Sequence, residues 1–470
     1  MQETVSHLNM IRFYLALWAG KFARFAIKLL GRNASHNPGK IALKICPDFL
    51  KYIDKPEKII CVTGTNGKTT VCNMIEDALR ANGHVILDNN LGSNTVAGVA
   101  STFLMGTSVF NKAKFNECVL EVDERSSLLI YKYVTPNYLV CTNLFRDSIK
   151  RNAHTDYISG IINAALPDST TLILNADDLI SGRLKADCPN KRIYFGIAPL
   201  EGERQEPNDI INDMRICPVC SSPMEFTFTR YHHIGTAHCT KCDLASPKAD
   251  VLVKAVDYEN GKITVDSQGS EEEYPLIHRN MFNIYNELAV ITLLKTVGLD
   301  YDSIYSAVGK LKIVDSRFSE RKVGGVEILS NTLKGQNPVA CSRVCRFAAD
   351  EKGNKAIFFM LDDINDARSS SENMYWIYES DFENLNNDSI KRFYVAGRRA
   401  QDMRYRLLLA GIPDEKITAF QNERDIVEHI DFNGIDKLVI LFDLYLYGLQ
   451  KEIRAELEKK LQDREKEAQI

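Results

Sequence analysis

The sequence predicts an α/β protein with two mostly parallel sheets, and three observations lead to that prediction. Between Ile59 and Gly196, short apolar strands alternate with helical patterns, as in a parallel sheet with helices on both faces. The same alternation returns in the last third of the chain. A small loop, Gly64–Gly67, joins the first strand to a helix, where such folds bind phosphate groups. We therefore expect a nucleotide-binding domain followed by a second, Rossmann-like α/β domain.

The chain has 470 residues and a net charge of −4. This length allows two or three domains, and the charge gives no general indication of nucleic-acid binding. The predicted parts are an N-terminal helical segment (1–52), a central ATP-binding domain (53–312) and a C-terminal α/β domain (313–470).

Runs rich in β-branched and aromatic residues predict the strands. In the central domain these runs are Cys118–Val122, Tyr138–Thr142, Thr171–Asn175, Arg192–Gly196, Val251–Tyr258 and Lys262–Asp266; in the C-terminal domain they are Ala356–Leu361, Arg392–Ala396 and Leu438–Phe442. A helix is predicted near Asn283–Val297, and a charged, solvated helix at the end of the chain.

Residues 8–32 predict one amphipathic helix, with leucine, isoleucine, phenylalanine, alanine and Trp18 on one side. Lys21, Arg24, Lys28 and Arg32 follow at spacings of three and four residues, and therefore share the opposite side. Such a helix usually packs against its own protein. The alternative is contact with an anionic membrane surface.

The segment Gly64-Thr65-Asn66-Gly67-Lys68-Thr69-Thr70 follows a β-branched strand and begins a helical pattern. Loop amides and the helix N-terminus then point at one place, which suits a phosphate chain. Lys68 supplies a positive charge for the terminal phosphates, and the Thr69 hydroxyl is a ligand for Mg²⁺. The general P-loop pattern requires glycine where this chain has Val62, so the segment is a local variant. We predict that it binds ATP.

Polar clusters follow three successive strands of the central domain. Glu121–Ser126 contains carboxylates that can complete a magnesium shell begun by Thr69, and a solvated acidic turn is the alternative. Thr142–Asp147 and Asn175–Asp178 occupy the same place after the next two strands. Because the carboxyl ends of parallel strands meet at one edge of a sheet, the three clusters are expected to share a cleft.

Cys217, Cys220, Cys239 and Cys242 form two Cys-x-x-Cys pairs separated by 18 residues. This spacing predicts a tetrahedral zinc site, and four thiolates leave no open position for catalysis, so the zinc is expected to be structural. The inserted module is predicted at about residues 212–248. The three histidines between the pairs are expected to be surface or packing residues: His232, His233 and His238.

The twelve cysteines of this chain do not suggest a disulfide framework, which favours a reducing cytoplasm. No apolar stretch is long enough to span a bilayer without charges. Lysine and arginine residues interrupt the apolar N-terminal run, unlike a signal peptide. We expect a cytoplasmic protein, with peripheral contact at the inner face of the membrane as an open alternative.

These segments resemble the MurT family, the Mur-ligase-like subunits of lipid II isoglutaminyl synthase. The most discriminating part is the cysteine module with Tyr231-His232-His233, which is similar to the insertion that separates MurT from ordinary Mur ligases. The other segments that carry the resemblance are Gly64–Thr70, Glu121–Glu124, Thr142–Asp147, Asn175–Asp178, Leu17–Lys21 and Asn283–Asn286.

The resemblance implies a Mur-ligase-like central domain and an amidation reaction in peptidoglycan synthesis. MurT uses ATP to activate the α-carboxylate of D-glutamate in the lipid II stem peptide, and ammonia from a glutaminase partner, GatD, converts it to D-isoglutamine. The residues that match the family by position are Lys68 and Glu124 for catalysis, Thr69 and Glu124 for Mg²⁺, and Asn143, Asn283 and Arg317 for the nucleotide. For Arg317, the alternative is an ordinary interdomain salt bridge.

The C-terminal domain departs from the family pattern. MurT carries an Asp-Gly-x-Asp-x-Ser-Trp stretch, one aspartate of which completes the glutaminase triad across the subunit interface. The stretch that ends at Trp376 is longer here and lacks the aspartate before the tryptophan. Asp366 and Glu372 are candidates to replace it, and Asp366 is retained as the catalytic candidate. The family's Pro-Thr-Tyr-Thr is replaced by Phe442–Tyr445. These changes concern the partner interface and leave the ATP site intact.

Two other functions are compatible with the sequence. One is a stand-alone Mur-type ATP-dependent amide ligase that works without a glutaminase. The other is a nucleotide-binding zinc-ribbon scaffold subunit without catalysis. The zinc module favours the amidating subunit over the first, and Lys68, Thr69 and Glu124 together favour it over the second.

Overall fold

The computed structural model describes residues 2–90, 93–147, 154–201, 203, 209–311, 318–333, 337–361 and 374–468. The chain forms two compact units. The first contains Met1–Phe145, His154–Pro207 and Asn212–Ile313, and the second contains Arg146–Ala153, Asn208–Ile211 and Val314–Ile470. The predicted boundary at 312–313 lies outside the described residues.

The first unit is built on a nine-stranded sheet with the order β11-β10-β9-β6-β5-β4-β1-β3-β2. Seven of these strands are parallel to their neighbours, and β10 and β11 form an antiparallel edge. The strands are β1 (Lys58–Thr63), β2 (Ile86–Asp88), β3 (Glu117–Glu121), β4 (Tyr138–Cys141), β5 (Thr171–Asn175), β6 (Arg192–Ile197), β9 (Val251–Asp257), β10 (Lys262–Ser267) and β11 (Ser270–Pro275). The predicted parallel α/β fold is confirmed.

Helices cover both faces of this sheet, because its central strands are apolar along almost their whole length. These helices are α1 (Gln2–Leu29), α2 (Asn37–Ile45), α3 (Phe49–Tyr52), α4 (Lys68–Ala81), α5 (Val96–Gly106), α6 (Ser127–Ile130), α7 (Thr155–Ala165), α8 (Met281–Thr296) and α9 (Tyr301–Val308).

The helices of the predicted N-terminal segment are part of the first unit. Phe13 and Leu17 of α1 are fully buried and belong to the same hydrophobic core as Ile59 of β1. Trp18 and Phe22 of the same helix are exposed. The structure therefore differs from the one-sided helix that the sequence predicts: the apolar residues of α1 lie on two faces, and the described residues bury only one of them.

A separate two-stranded hairpin, β7 (Met224–Tyr231) and β8 (Ile234–Cys239), lies between β6 and β9 in the chain. Its two strands are joined by His232 and His233, and His232 has a positive φ of 50°. This hairpin belongs to the predicted cysteine module.

The second unit has a six-stranded sheet with the order β12-β13-β17-β14-β15-β16, parallel except for the pair β12 and β13. Its strands are β12 (Phe318–Val323), β13 (Val326–Leu333), β14 (Lys355–Met360), β15 (Ile390–Ala396), β16 (Ile417–Phe420) and β17 (Lys437–Asp443). Its helices are α10 (Pro338–Asp350), α11 (Ala400–Leu409), α12 (Ile426–His429) and α13 (Tyr447–Ala468). Among the described residues, no helix combines the length and the apolar character needed to cross a membrane.

Candidate active site

The predicted phosphate loop lies where the strand order of the first sheet reverses. β1 is flanked by β3 on one side and β4 on the other, and the loop leaves the carboxyl end of β1 to enter α4. Crevices at such reversals are the usual ligand sites of open α/β sheets. The first amides of an α-helix have no acceptor within the helix, and the N-cap residue of α4, Gly67, provides no side-chain acceptor. Amides at such a position are suitable donors for an anion.

Two glycines give the loop its shape. Gly64 and Gly67 have φ values of 128° and 88°, a region in which residues with a Cβ are strained. A Cβ on Gly64 would lie 2.3 Å from Thr142 Oγ1, and one on Gly67 would lie 2.4 Å from Asn286 Oδ1. Both positions therefore require glycine, for conformation and for space.

Side chains at the end of β4 hold the loop in place. Thr142 Oγ1 donates a hydrogen bond of 2.6 Å to the carbonyl of Asn66, and Asn143 Nδ2 donates one of 3.0 Å to the same oxygen. The N–H of Asn66 donates to Asn143 Oδ1 at 3.0 Å. Asn143 was predicted to contact the nucleotide; in the structure its amide group is used to fix the backbone of the phosphate loop.

Lys68 is paired with Glu124 beneath the loop. Lys68 Nζ lies 2.8 Å from Glu124 Oε1, and the glutamate side chain is only 2% exposed. Lys68 also donates to the carbonyl of Gly64. Burial by itself lowers the pKa of Lys68, but the neighbouring Glu124 carboxylate raises this pKa above its ordinary value. The lysine is therefore charged at neutral pH and available to phosphate oxygens.

Glu121, the last residue of β3, is the carboxylate bonded to Thr69. Thr69 Oγ1 donates to Glu121 Oε2 at 2.8 Å, and Asn94 Nδ2 donates to Glu121 Oε1 at 2.9 Å. Asn89 fixes the backbone of Glu121 with two further hydrogen bonds. Glu124 lies in the turn after the strand, where Ser126 N–H bonds to the carbonyl of Asp123. In the structure Glu124 contacts Lys68 and Glu121 contacts Thr69; the assignment of Thr69 and Glu124 to Mg²⁺ stays a prediction.

The first turns of α8 approach the loop from another side. Asn286 lies against Gly67, and Asn286 Nδ2 donates to Oδ1 of Asn283 at 3.2 Å. The predicted adenine contact Asn283 is therefore one helical turn from a residue that touches the loop. The predicted nucleotide contact Arg317 and the predicted catalytic residue Asp366 lie outside the described residues.

The four predicted cysteine ligands come together. The Sγ atoms of Cys217, Cys220, Cys239 and Cys242 all lie within 4.8 Å of one another, with Cys217 and Cys242 at 3.6 Å and Cys220 and Cys239 at 3.4 Å. Zn–S bonds of about 2.3 Å place the sulfurs of a tetrahedral site about 3.8 Å apart, so the cluster is compatible with zinc. The backbone amides of Val219 and Lys241 donate to these sulfurs, as expected around metal-bound thiolates.

A buried charged network attaches the hairpin to the sheet. Arg230 of β7 donates two hydrogen bonds to the carboxylate of Glu203, at 2.7 and 2.8 Å, and a third to the hydroxyl of Tyr285. Tyr285 in turn donates to Asp177, which also accepts from the N–H of Ile197. Asp177 of the Asn175–Asp178 cluster therefore takes part in attaching the cysteine module to the sheet.

The tip of the hairpin reaches the phosphate site through one aromatic residue. The ring of His233 lies 4.6 Å from that of Phe145, and its Nε2 is 3.3 Å from Asp178 Oδ1, with both side chains fully buried. Burial raises the pKa of Asp178, but His233 and the N–H of Leu144 outweigh burial and lower it below its usual value. His233 and His232 are buried packing residues, and His238 is exposed.

Several site residues were not singled out from the sequence. Glu121 and Asn286 belong to motifs that were noted, but a motif does not show which of its polar side chains faces the loop. Asn89 and Asn94 lie outside every motif, in a stretch between β2 and α5. Tyr231 and Phe282, whose rings are 4.3 Å apart, join the hairpin to the start of α8.

The fold is shared with solved structures of peptide ligases. The chain is similar to a pseudomurein peptide ligase type C from Methanothermus fervidus, with a TM-score of 0.64 and 19% identity over 87% of this chain and 81% of that one. It is also similar to MurF from Acinetobacter baumannii, with a TM-score of 0.60 and 14% identity over 89% and 80% of the two chains. Residues 62–212 match the Mur ligase middle domain. Fold and phosphate site together define a Mur-type ligase.

More specific matches follow from the sequence. Residues 335–444 match the MurT ligase C-terminal domain. The chain is 31% identical over 430 residues to the MurT subunit of the glutamine-hydrolyzing lipid II isoglutaminyl synthase of Staphylococcus aureus, covering 90% of this chain and 94% of that protein. The subunit of the same name from Streptococcus pneumoniae is 29% identical over 422 residues, which is 89% and 91% of the two chains. The chain belongs to the MurT family, and the predicted resemblance is confirmed.

Proposed function

We propose that this chain is the synthetase subunit of a lipid II isoglutaminyl synthase. It uses ATP to activate the α-carboxylate of D-glutamate in the stem peptide of lipid II, and ammonia converts this group to the amide of D-isoglutamine. The observation that carries the proposal is the 31% identity to a protein of that name over 94% of its length. The intact arrangement of Lys68, Thr69 and two glutamates at the phosphate loop supports it.

The chemistry follows from the poor electrophilicity of a carboxylate. A carboxylate oxygen attacks the γ-phosphorus of ATP, the bond to the ADP oxygen breaks, and an acyl phosphate forms. Ammonia then adds to the acyl carbon, loses a proton and displaces phosphate. Lys68 and the free amides at the start of α4 stabilise the negative charge that moves onto the departing ADP. Thr69 and a carboxylate of the Glu121–Glu124 turn would hold Mg²⁺, which would supply positive charge next to the phosphates.

The cysteine cluster is proposed to hold a structural zinc ion. With four thiolates as ligands no position is open for a substrate, so the ion stabilises the small hairpin rather than the reaction. The adenine is proposed to bind at the start of α8, where Phe282 precedes Asn283 in the chain and its ring lies 4.3 Å from that of Tyr231.

The ammonia is proposed to come from a GatD-like glutaminase that forms a heterodimer with this chain at the cytoplasmic face of the membrane, where lipid II is available. The printed name of the relatives, a subunit of a glutamine-hydrolyzing enzyme, supports a partner of this kind. Asp366 is the candidate residue for the partner's triad. Asp366→Asn should lower glutamine hydrolysis by the co-expressed pair, whereas Glu372→Gln should not; the reverse result would assign the role to Glu372.

The synthetase activity can be tested without the partner. The isolated chain, given ATP, Mg²⁺, lipid II and ammonium chloride, should release ADP only when lipid II is present, and Lys68→Ala should abolish this release. Lys58→Ala is a matched control, because Lys58 pairs with Glu117 at the opposite end of β1, at 3.2 Å. ADP release that requires an amino acid instead of ammonium would favour a stand-alone amide ligase, and no release at all would favour a scaffold subunit.

A further inference from the structure

Helix α1 presents a second apolar face that the described residues leave exposed. Its inner face, with Phe13, Ala16 and Leu17, is completely buried. The outer face carries a continuous stripe of large apolar side chains, each between 49% and 77% exposed: Ile11, Leu15, Trp18, Phe22, Phe25 and Leu29. Their spacing alternates between four and three residues, so they form one line along the helix.

This apolar surface continues onto a neighbouring turn. The indole N–H of Trp18 donates a hydrogen bond of 3.0 Å to the carbonyl of Val109. Val109 is 50% exposed and the adjacent Phe110 is 76% exposed. Two segments that are distant in sequence therefore contribute to the same exposed apolar surface. Contiguous apolar patches of this kind mark interaction sites on soluble proteins.

The N-terminal segment that contains the stripe carries charges almost all of one sign. Between Leu8 and Lys51 the basic residues are Arg12, Lys21, Arg24, Lys28, Arg32, Lys40, Lys44 and Lys51, and Asp48 is the single acidic residue. Lys28, Arg32, Lys40 and Lys44 are exposed. Lys21 is bound to the carbonyls of Leu104 and Thr107, both at 2.7 Å, and is therefore occupied within the protein. The local charge is thus strongly positive in a chain whose net charge is −4.

We propose that the outer face of α1, together with Phe110, binds the surface of an anionic lipid bilayer, with the helix axis parallel to the membrane. A helix with an apolar stripe and basic residues beside it inserts its apolar side chains at the level of the lipid headgroups, while the basic groups contact lipid phosphates. A second copy of the chain is a poorer partner, because it would place two basic helices side by side. The inference goes beyond the proposed reaction and does not depend on it.

Vesicle binding by the full-length chain tests this proposal. The vesicles contain phosphatidylglycerol and phosphatidylethanolamine, without lipid II or nucleotide, so the result is independent of the amidation chemistry. We expect the chain to float with these vesicles and not with pure phosphatidylcholine, and high salt should weaken the binding. The double variant Phe22→Glu/Phe25→Glu should lower the membrane partition coefficient by about tenfold or more.

A matched control changes two exposed leucines elsewhere, Leu129→Glu/Leu409→Glu, whose side chains are 60% and 55% exposed. This variant should bind as the wild type does. Thermal unfolding of both double variants verifies that they fold. Lys28→Glu/Arg32→Glu should also weaken binding, because it removes two exposed basic residues next to the stripe.

Fluorescence gives an independent readout, because Trp18 and Trp376 are the only tryptophans and Trp376 is 6% exposed. In a Trp376→Phe background the emission of Trp18 should shift to shorter wavelength when anionic vesicles are added. Three results would overturn the proposal: equal flotation of the wild type and Phe22→Glu/Phe25→Glu, no emission shift, or a stable dimer in solution that this variant converts to a monomer.

Discussion

Phe145 and Thr65 are joined by two hydrogen bonds. The N–H of Phe145 donates to Thr65 Oγ1 at 2.9 Å, and Thr65 Oγ1 donates to the carbonyl of Phe145 at 3.1 Å. The ring of the same phenylalanine contacts His233 at the tip of the β7–β8 hairpin. Phe145, in the segment after β4, thus connects the cysteine module to the phosphate loop. We therefore expect changes in the module to affect the affinity for ATP.

Loss of the metal should therefore weaken ATP binding. In Cys220→Ser/Cys242→Ser the hairpin loses its anchor, and we expect the Kd for ATP to rise by about fivefold, since coupling through a packed contact is about 1 kcal/mol. Metal content is measured by elemental mass spectrometry and the Kd by calorimetry. Cys188→Ser, outside the cluster, should change neither. A metal-free protein that is folded and binds ATP normally would refute this coupling.

A substitution at Thr65 can remove the hydrogen bonds that join the phosphate loop to Phe145. Thr65→Val keeps the shape of the side chain and deletes both hydrogen bonds to Phe145, so ATP affinity should fall by about fivefold, or about 1 kcal/mol. Thr227→Val is the comparison, because the exposed Thr227 hydroxyl bonds to the carbonyl of Thr236 within the hairpin. Equal ATP affinities in the two variants would mean that the bonds between Thr65 and Phe145 do not hold the loop.

Substitutions of Glu121 and Glu124 should change two different kinetic quantities. Glu121 is bonded to Thr69, so Glu121→Gln should mainly raise the Mg²⁺ concentration needed for half-maximal ADP release. Glu124 orients Lys68, so Glu124→Gln should mainly lower the turnover number at saturating Mg²⁺. Steady-state rates of ADP release, measured over a Mg²⁺ titration, distinguish the effects of the two variants. The opposite pattern would instead support Glu124 as the magnesium ligand.

Glu287 on α8 makes stability depend on pH. Burial raises its pKa to about 8, and among the described residues only the N–H of Ile277 bonds to its carboxylate, at 3.1 Å. The unfolded chain releases this proton near pH 4.3, so from this group alone stability falls as pH rises from about 4.3 to 8. Glu287→Gln should be more stable than the wild type at pH 9, by about 1–3 kcal/mol, and similar to it at pH 4.

Denaturant unfolding at the two pH values measures this difference. Glu259→Gln, in an exposed turn, should leave stability unchanged at both. If Glu287→Gln were less stable at pH 9 than the wild type, the buried carboxylate would be stabilised by a partner that this account does not include.

Much of the first unit could be predicted because local patterns determine it. β1, the phosphate loop and α4 follow from a β-branched strand, two glycines and a periodic helix, and the spacing of Cys217, Cys220, Cys239 and Cys242 alone predicts that they meet. Which glutamate faces Thr69 depends on a turn after β3 that the sequence does not specify. The same holds for Asn89, which reaches Glu121 only because β2 pairs with β3.

Strand β11 shows a second limit of predicting structure from the sequence. Its three consecutive glutamates have low strand propensity, yet the strand forms at the edge of the sheet. Lysines on other elements neutralise them: Lys254 lies 2.6 Å from Glu271, Lys295 lies 2.6 Å from Glu272, and Lys262 lies 2.8 Å from Glu273. Such compensation between distant residues cannot be inferred from a single run of sequence.

The most direct test of the central claim is mass spectrometry of lipid II after incubation with this chain, a co-expressed GatD-like glutaminase, ATP, Mg²⁺ and glutamine. We predict that one carboxylate of the stem peptide becomes a carboxamide, that fragmentation places it on the α-carboxyl of D-glutamate, and that Lys68→Ala abolishes the change. Unmodified lipid II in a reaction that consumes ATP and releases ammonia would contradict the proposed substrate.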